Sequence, residues 1–353
     1  MKPAKNIHHF CGLIKSKLSR KPPFHTIINL DLVEEFVTNR GLLYQPKVIN
    51  RPEEIKVGEH RTSLNCIPSS WPTTSVSWIQ FEKSYVSSRS GVCYVPGKRA
   101  YFVDFAWGWG NPRSSVKPQF KGVRKTIDSQ EPFTMISARA SGYHGIIEDL
   151  PIVLELIKEF RNLTIGITKE NRWVRNFGEF LGIEEDRFLE VDENWVGAKN
   201  LVCVTKSAFG EFVNPSLIES IASVCRERVG QSSGTSIKLY ISREHAARRS
   251  FPGEEKVREQ FEANSFTAVS LEALSIREQA LLLRDADVIA GFHGAGLLNM
   301  IFSPSKISVI ELYHSLGVNS CYASLATVLD NYYRILQVPN SFDLNSLSGI
   351  LNS

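Results

Sequence analysis

The chain has 353 residues, a formal net charge of +4, and 42 % hydrophobic and 22 % charged residues. That length accommodates two domains, each with its own core, and the composition is that of a folded globular protein. A weak positive excess, with no RNP, zinc-finger or helix-turn-helix pattern, argues against nucleic-acid binding. No apolar run reaches the ~20 residues of a membrane span, and the first 25 residues lack the organisation of a signal peptide. Six cysteines (Cys11, Cys66, Cys93, Cys203, Cys225 and Cys321) are scattered without a Cys-x-x-Cys pair. This disfavours structural zinc and a disulfide framework and points to a reducing cytoplasm.

In chain order, residues 1–30 carry six Lys or Arg and no acid. Ile7, Phe10, Cys11, Ile14 and Leu18 recur at helical spacing, with Lys15, Lys17, Arg20 and Lys21 on other faces. Such a segment is either a solvated terminus or, through residues 1–24, a weak contact to an anionic membrane surface. From residue 31 to about 130, short apolar alternations (Val76 to Phe81, Gly97 to Phe105) are punctuated by Pro and Ser, which suggests short strands and hairpins. Trp107 and Trp109 on a glycine-rich loop fit the cover of a hydrophobic edge better than a sugar platform.

A regular alternation begins near residue 132. Strands are expected at Phe133–Ser137, Leu163–Thr168, Phe188–Val191 and Leu201–Val204, with helices at Ile147–Phe160 and Arg172–Leu181. After a break at 207–215, Pro215 is placed to start a helix over Leu217–Val229. The alternation then restarts: strands Ile237–Ile241, Phe266–Val269, Val288–Ala290 and Ile307–Leu312, helices Glu254–Ala263, Ile276–Arg284 and Gly294–Phe302. Two Rossmann-like α/β domains facing a cleft are expected, spanning 31–212 (with a β-rich start) and 213–335, before a tail at 336–353.

Three features of the second half converge if it is Rossmann-like. The run Ala286 to Phe302 reads as strand, glycine-rich turn with His293, then helix start; unpaired first amides and the helix dipole favour an anion there. Arg243, Arg248 and Arg249 lie past another strand end, where guanidinium–phosphate contacts are easy. Glu311 ends a third strand, where a carboxylate could accept ribose hydroxyls. Together they describe a site for a nucleotide diphosphate.

The same residues carry a resemblance. Tyr240-Ile-Ser-Arg-Glu-His-Ala-Ala-Arg-Arg, Glu254-Glu255, Gln279, Ala286 to Asn299 and Val309-Ile-Glu-Leu are similar to the C-terminal signature of glycosyltransferase family 61. Tyr143-His-Gly-Ile-Ile-Glu-Asp-Leu-Pro is similar to an upstream segment of that family, and coverage runs from about 136 to 338. Gly145 stands where the family often has Trp, and Gly253 where Asn often precedes the acidic pair. The resemblance implies a GT-B fold and inverting transfer of a sugar from a nucleotide sugar without a bound metal or other cofactor. Carried over, Arg243, Arg248 and Arg249 would meet the diphosphate. His293, Gly294, Ala295 and Gly296 would form the turn against it, Asn299 would support that turn, and Glu311 would meet the ribose.

Inversion needs a general base for the acceptor hydroxyl. Glu148 is the first candidate and His144 the second, since four residues apart they share a helix face. Asp149 is third and should point away from them; alternatively His144 and Glu148 only brace the helix running into Pro151. Asp285 and Asp287 match the Asp-x-Asp metal motif, but between a helix and a strand they read as linker or capping residues. Ser232 in Gly230-Gln-Ser-Ser-Gly follows a helix and precedes a strand, the reverse of an esterase elbow. The expected protein is thus a cytoplasmic glycosyltransferase, in part peripheral to the membrane, that uses a nucleotide-diphosphate sugar, most readily a uridine one. Its acceptor would be a glycan or lipid-linked molecule in surface polysaccharide synthesis (capsule or lipopolysaccharide). The rival is a non-catalytic nucleotide- or glycan-binding scaffold that keeps the phosphate site but lacks a working base.

Overall fold

The computed structural model describes residues 24–25, 34–44, 48–50, 56–57, 70–72, 75–96, 100–102, 124–140, 142–205, 214–244, 251, 253–304, 306–313 and 319–338. The basic segment 1–23, Trp107, Trp109, Arg248 and Arg249 fall outside them, as does nearly all of the tail.

In the first half, the alternation begun at Val76 continues as a 12-residue strand, β1 (Val76–Ser87), longer than its punctuated sequence suggests. β2 (Phe133–Met135), helix α1 (Leu150–Glu159), β3 (Thr164–Ile167), α2 (Arg172–Phe180) and β4 (Phe188–Glu190) follow as two parallel crossovers. β5 (Trp195–Val204) then runs parallel to β2 but antiparallel to β1, with Leu201 opposite both Phe133 and Phe81. Among the described residues the first sheet is therefore mixed, ten-stranded, and β-rich on the side of β1. The expected strand Leu201–Val204 is the end of β5, because the strand runs on through its polar middle, with Ala198 opposite Ser84 and Asn200 opposite Glu82 of β1.

The second half is fully parallel. α3 (Pro215–Val229) starts where proline permits, with Asn214 Oδ1 accepting the Ser216 and Leu217 amides at 3.0 and 3.4 Å. β6 (Ile237–Ile241), α4 (Glu254–Ala263), β7 (Thr267–Val269), α5 (Ile276–Arg284), β8 (Ala286–Phe292), β9 (Ser308–Tyr313), α6 (Cys321–Val328) and β10 (Tyr332–Gln337) complete it. α5 has the bounds its sequence indicates because Ser275 and Glu278 form a capping box. The sheet order is β7–β6–β8–β9–β10, and Lys56–Val57 from the first half adds a sixth parallel strand beside β10.

One apolar core links the halves. Residues of α1, α2 and β3 join residues of α3, α5, α6, β8 and β9 in a single cluster between the two sheets. Phe177 of α2 stacks on Phe302 with ring centroids 5.4 Å apart, and Phe180 meets the same ring edge-on at 5.6 Å. Alternation along β9 sorts its side chains: Val309 and Tyr313 belong to this shared core, Ile310 and Leu312 to a separate cluster with α4. Glu311 therefore lies on the face turned toward the first half.

Candidate active site

β6 is flanked by β7 on one side and β8 on the other, so the strand order reverses at the β6–β8 boundary. Ligands of open parallel sheets bind beyond the carboxyl ends of strands at such a point. Arg243 leaves β6 there and His293 leaves β8, and Arg243 Nη1 donates to the His293 carbonyl at 3.1 Å. Glu254, buried at the first turn of α4, accepts the Arg243 amide at 2.5 Å and the Tyr240 hydroxyl at 3.3 Å. Strand end, arginine and helix start form one unit.

The glycines of this turn allow a close approach by neighbouring side chains. Gly294 has an extended backbone (φ 169°), which any residue adopts, but a Cβ there would sit 1.4 Å from Arg243 Nη1. A Cβ on Gly296 would sit 2.7 Å from Ile241 Cγ2. Gly253 differs: its φ of +91° is left-handed, a region open to glycine and more easily to Asn than to other residues. That accounts for the exchange of Asn for Gly ahead of the acidic pair. The expected helix after the turn winds as a 3₁₀ helix, Ala295–Phe302. Leu297 to Phe302 are all buried, so packing on several sides shapes it and no amphipathic face does. Its first bond runs from the Leu297 amide to the Gly294 carbonyl at 3.0 Å, downstream of the Ala295 and Gly296 amides. Asn299 Nδ2 donates to the Gly296 carbonyl at 3.0 Å and holds the turn.

Behind His293 lies a polar network. Its Nδ1 is 2.6 Å from Glu311 Oε1 and 2.9 Å from the Tyr313 hydroxyl. The Tyr313 hydroxyl also meets the Asn319 carbonyl (2.8 Å) and amide (3.2 Å) and bonds Glu311. An ionised carboxylate only accepts, so the contact with Glu311 calls for the ring proton on Nδ1 and leaves Nε2 as the other ring nitrogen. Glu311 is fully buried, and its second oxygen accepts the Tyr333 hydroxyl. Burial pushes the Glu311 carboxyl above its ordinary range, against the opposing pull of His293, Tyr333 and Tyr313. Burial, then the negative charge of Glu311, push the Tyr313 and Tyr333 phenols up as well, so both remain protonated donors.

The first half supplies a second pair. The segment before α1 opens as a π turn, Gly145–Asp149. Gly145 has no room for a side chain, since a Cβ would lie 2.1 Å from the Ala140 carbonyl oxygen and 2.5 Å from Val174 Cγ2. His144 Nδ1 lies 2.8 Å from Glu148 Oε1, with 26 % of the His144 side chain exposed against 6 % of the Glu148 side chain. The imidazole is the member that reaches solvent, and the carboxylate sits behind it. Asp149 is turned away and lines a partly open pocket with Thr134, Ser137 and Val202.

Aromatic rings join the two pairs. His144 meets Tyr143, Tyr143 meets Tyr322 of α6, and Tyr322 meets His293, each contact edge-on with centroids 5.2 Å apart. The Tyr143 hydroxyl donates to the Cys321 carbonyl at 3.1 Å. Tyr313, Tyr322 and Tyr333 carry no sequence signal of function, since no motif includes them. Tyr143 was visible only as part of a motif.

The Asp-x-Asp residues lie at the opposite, amino end of the second sheet. Asp285 accepts from Ser232 Oγ and the Ser233 amide, both at 2.7 Å, and pairs with Arg284 at 2.8 Å. Arg284 is the first cause of its lowered carboxyl affinity for protons. Asp287 accepts from Ser236. Among the described residues no three His, Cys, Asp or Glu side chains converge as metal ligands, and Cys93, Cys203, Cys225 and Cys321 are buried and not joined in disulfides.

A family model described as Glycosyltransferase 61 matches residues 46–310. Over 66 residues the chain is 38 % identical to the EGF domain-specific O-linked N-acetylglucosamine transferase of Drosophila melanogaster, a match covering 19 % of this chain and only 12 % of that protein. With well over half its length inside the family match, the chain belongs to glycosyltransferase family 61.

Proposed function

We propose that the protein transfers a sugar, with inversion, from a nucleotide-diphosphate donor to an acceptor hydroxyl, without a metal ion. The donor to test first is a uridine diphosphate sugar, and the relative's name puts N-acetylglucosamine among the first sugars to try. The acceptor is a glycan or lipid-linked molecule of a surface polysaccharide. The carrying observation is the junction itself: two histidine–carboxylate pairs, one from each half, joined by the Tyr143–Tyr322 contact. His144, oriented by Glu148, takes the proton of the acceptor hydroxyl as its oxygen bonds to the anomeric carbon. The bond to the diphosphate breaks on the opposite face, and its electron pair leaves with the diphosphate. Arg243 and the 293–296 turn receive that charge through a guanidinium and main-chain amides.

The test is nucleoside diphosphate release across a panel of nucleotide sugars, with and without candidate acceptors. Release from one donor class, reduced at least ~10-fold by Arg243→Ala in a folded variant, is expected for a charge-assisted contact. Absence of release with every donor, together with no nucleotide-induced thermal shift, would refute the reading.

A further inference from the structure

Glu311 is positioned for a task other than holding a ribose. Both of its oxygens are occupied from within the protein, by His293 Nδ1–H at 2.6 Å and by the Tyr333 hydroxyl, and none of its surface is exposed. A ribose would have to displace Tyr333 or His293 to reach it. His293, by contrast, keeps 19 % of its side chain exposed at the strand-reversal point, beside Arg243 and the amides of the turn.

We propose that Glu311 is a positioning residue that holds His293 by Nδ1–H, so that the other ring nitrogen, Nε2, once protonated, donates to the diphosphate of the donor; the ribose is recognised elsewhere. This rests on the nucleotide-sugar reading above. A phosphate oxygen only accepts, and a neutral ring protonated at Nδ1 offers only a lone pair at Nε2. Contact therefore requires a second proton, taken from solvent, and the buried carboxylate at Nδ1 balances the resulting imidazolium. The ring itself meets Glu311 and Tyr313 of β9 and Tyr322 of α6; around this pair lie Tyr333 of β10, Cys321 of α6, Tyr143 from the first half, and Arg243 from the loop after β6, which bonds the His293 carbonyl. Of these, Glu311 is the carboxylate on the ring, and Arg243 is the cation that opposes its effect. When the sugar leaves, the electron pair of the broken C–O bond goes to the diphosphate oxygen. The Nε2–H bond strengthens as that charge grows, with the proton remaining on His293.

The experiment is long-range ¹H–¹⁵N NMR of histidine-labelled protein, free and with uridine diphosphate, in wild type, Glu311→Gln and Tyr333→Phe. His293→Gln assigns the signal among the eight histidines. Expected are an Nδ1–H ring in the free protein and both nitrogens protonated in the complex. Glu311→Gln should lose the doubly protonated state and bind the diphosphate ~10- to 100-fold more weakly, the range of a charge-assisted bond. Tyr333→Phe should shift both readouts in the same direction by less, and it serves if Glu311→Gln does not fold. The ratio of ribo- to 2′-deoxyribonucleotide affinity should be unchanged in either variant. An Nε2–H ring in the free protein, or a Glu311→Gln variant that loses only the ribose preference, overturns the proposal while leaving the nucleotide site standing. Wild type that binds no nucleotide overturns both.

Discussion

Two histidine–carboxylate pairs of similar length meet at the junction of this molecule, and they are built in different ways. In the first half, His144 and Glu148 are four residues apart on one turn, and their contact of 2.8 Å follows from chain geometry alone. In the second half, His293 and Glu311 come from neighbouring parallel strands 18 residues apart, brought together by register: Gly291 faces Glu311, and His293 follows two residues on, on the same side. The two pairs also differ in depth. Glu148 keeps a sliver of exposure, whereas Glu311 has none and is braced by a second side chain, Tyr333. A locally built pair can change its proton with little reorganisation, which suits a base that must turn over. A pair fixed by a sheet is rigid, which suits a group that must receive charge at a set place.

The largest expected effect tests the roles within the first pair. His144→Gln should lower kcat by ~10²–10⁴, the usual cost of a general base. Glu148→Gln keeps an oxygen that can accept from Nδ1, so its loss should be closer to ~10-fold. Steady-state rates of both variants on one donor and acceptor decide the matter. If Glu148→Gln is the more damaging, the carboxylate is the base, and the pair is a helix-face acid with a histidine neighbour.

This contrast also separates what the residues reveal by themselves from what they do not. The His144–Glu148 spacing, the α5 bounds set by Ser275 and Glu278, and the parallel alternation of the second half are local properties, and all are legible along the chain. The approach of Tyr333 to Glu311 is not. Tyr333 faces Val309 and lies diagonal to Glu311, a relation that exists only once β9 and β10 are in register. The same holds for Lys56–Val57, which join the second sheet from far upstream. Glycines 294 and 296 stand out as a phosphate-type turn, but the side chains they make room for, Arg243 and Ile241, belong to β6 and the loop after it.

A smaller effect, of different kind in each half, comes from adding one methyl group. In Gly294→Ala the new carbon meets the end of a flexible side chain, Arg243 Nη1. The guanidinium can swing away, so the fold should survive while donor KM rises ~10-fold through loss of a charge-assisted contact. In Gly145→Ala it meets a backbone carbonyl, that of Ala140, which has no rotamer to change. That variant should lose ~1–3 kcal/mol of stability, the cost of overpacking, measured by denaturant unfolding. Equal losses of stability in the two variants would mean that Arg243 is as immobile as main chain, and the donor side would then be preformed.

The smallest effect probes the bridge between the halves. Tyr143→Phe removes the hydroxyl that donates to the Cys321 carbonyl but leaves both ring contacts in place. Stability should fall by ~1 kcal/mol, the net worth of one buried hydrogen bond plus the cost of an unmatched carbonyl, with kcat changed less than ~3-fold. Tyr143→Leu removes the ring as well, and with it the edge-on contacts to His144 and Tyr322. Each such contact contributes ~0.5–1.5 kcal/mol beyond area, so this variant should lose more stability and also misplace His144. A kcat that falls for Leu but not for Phe identifies the ring as the element aligning the two pairs. A kcat that falls equally in both would move that role to the hydroxyl, and so to the tie between the π turn and α6.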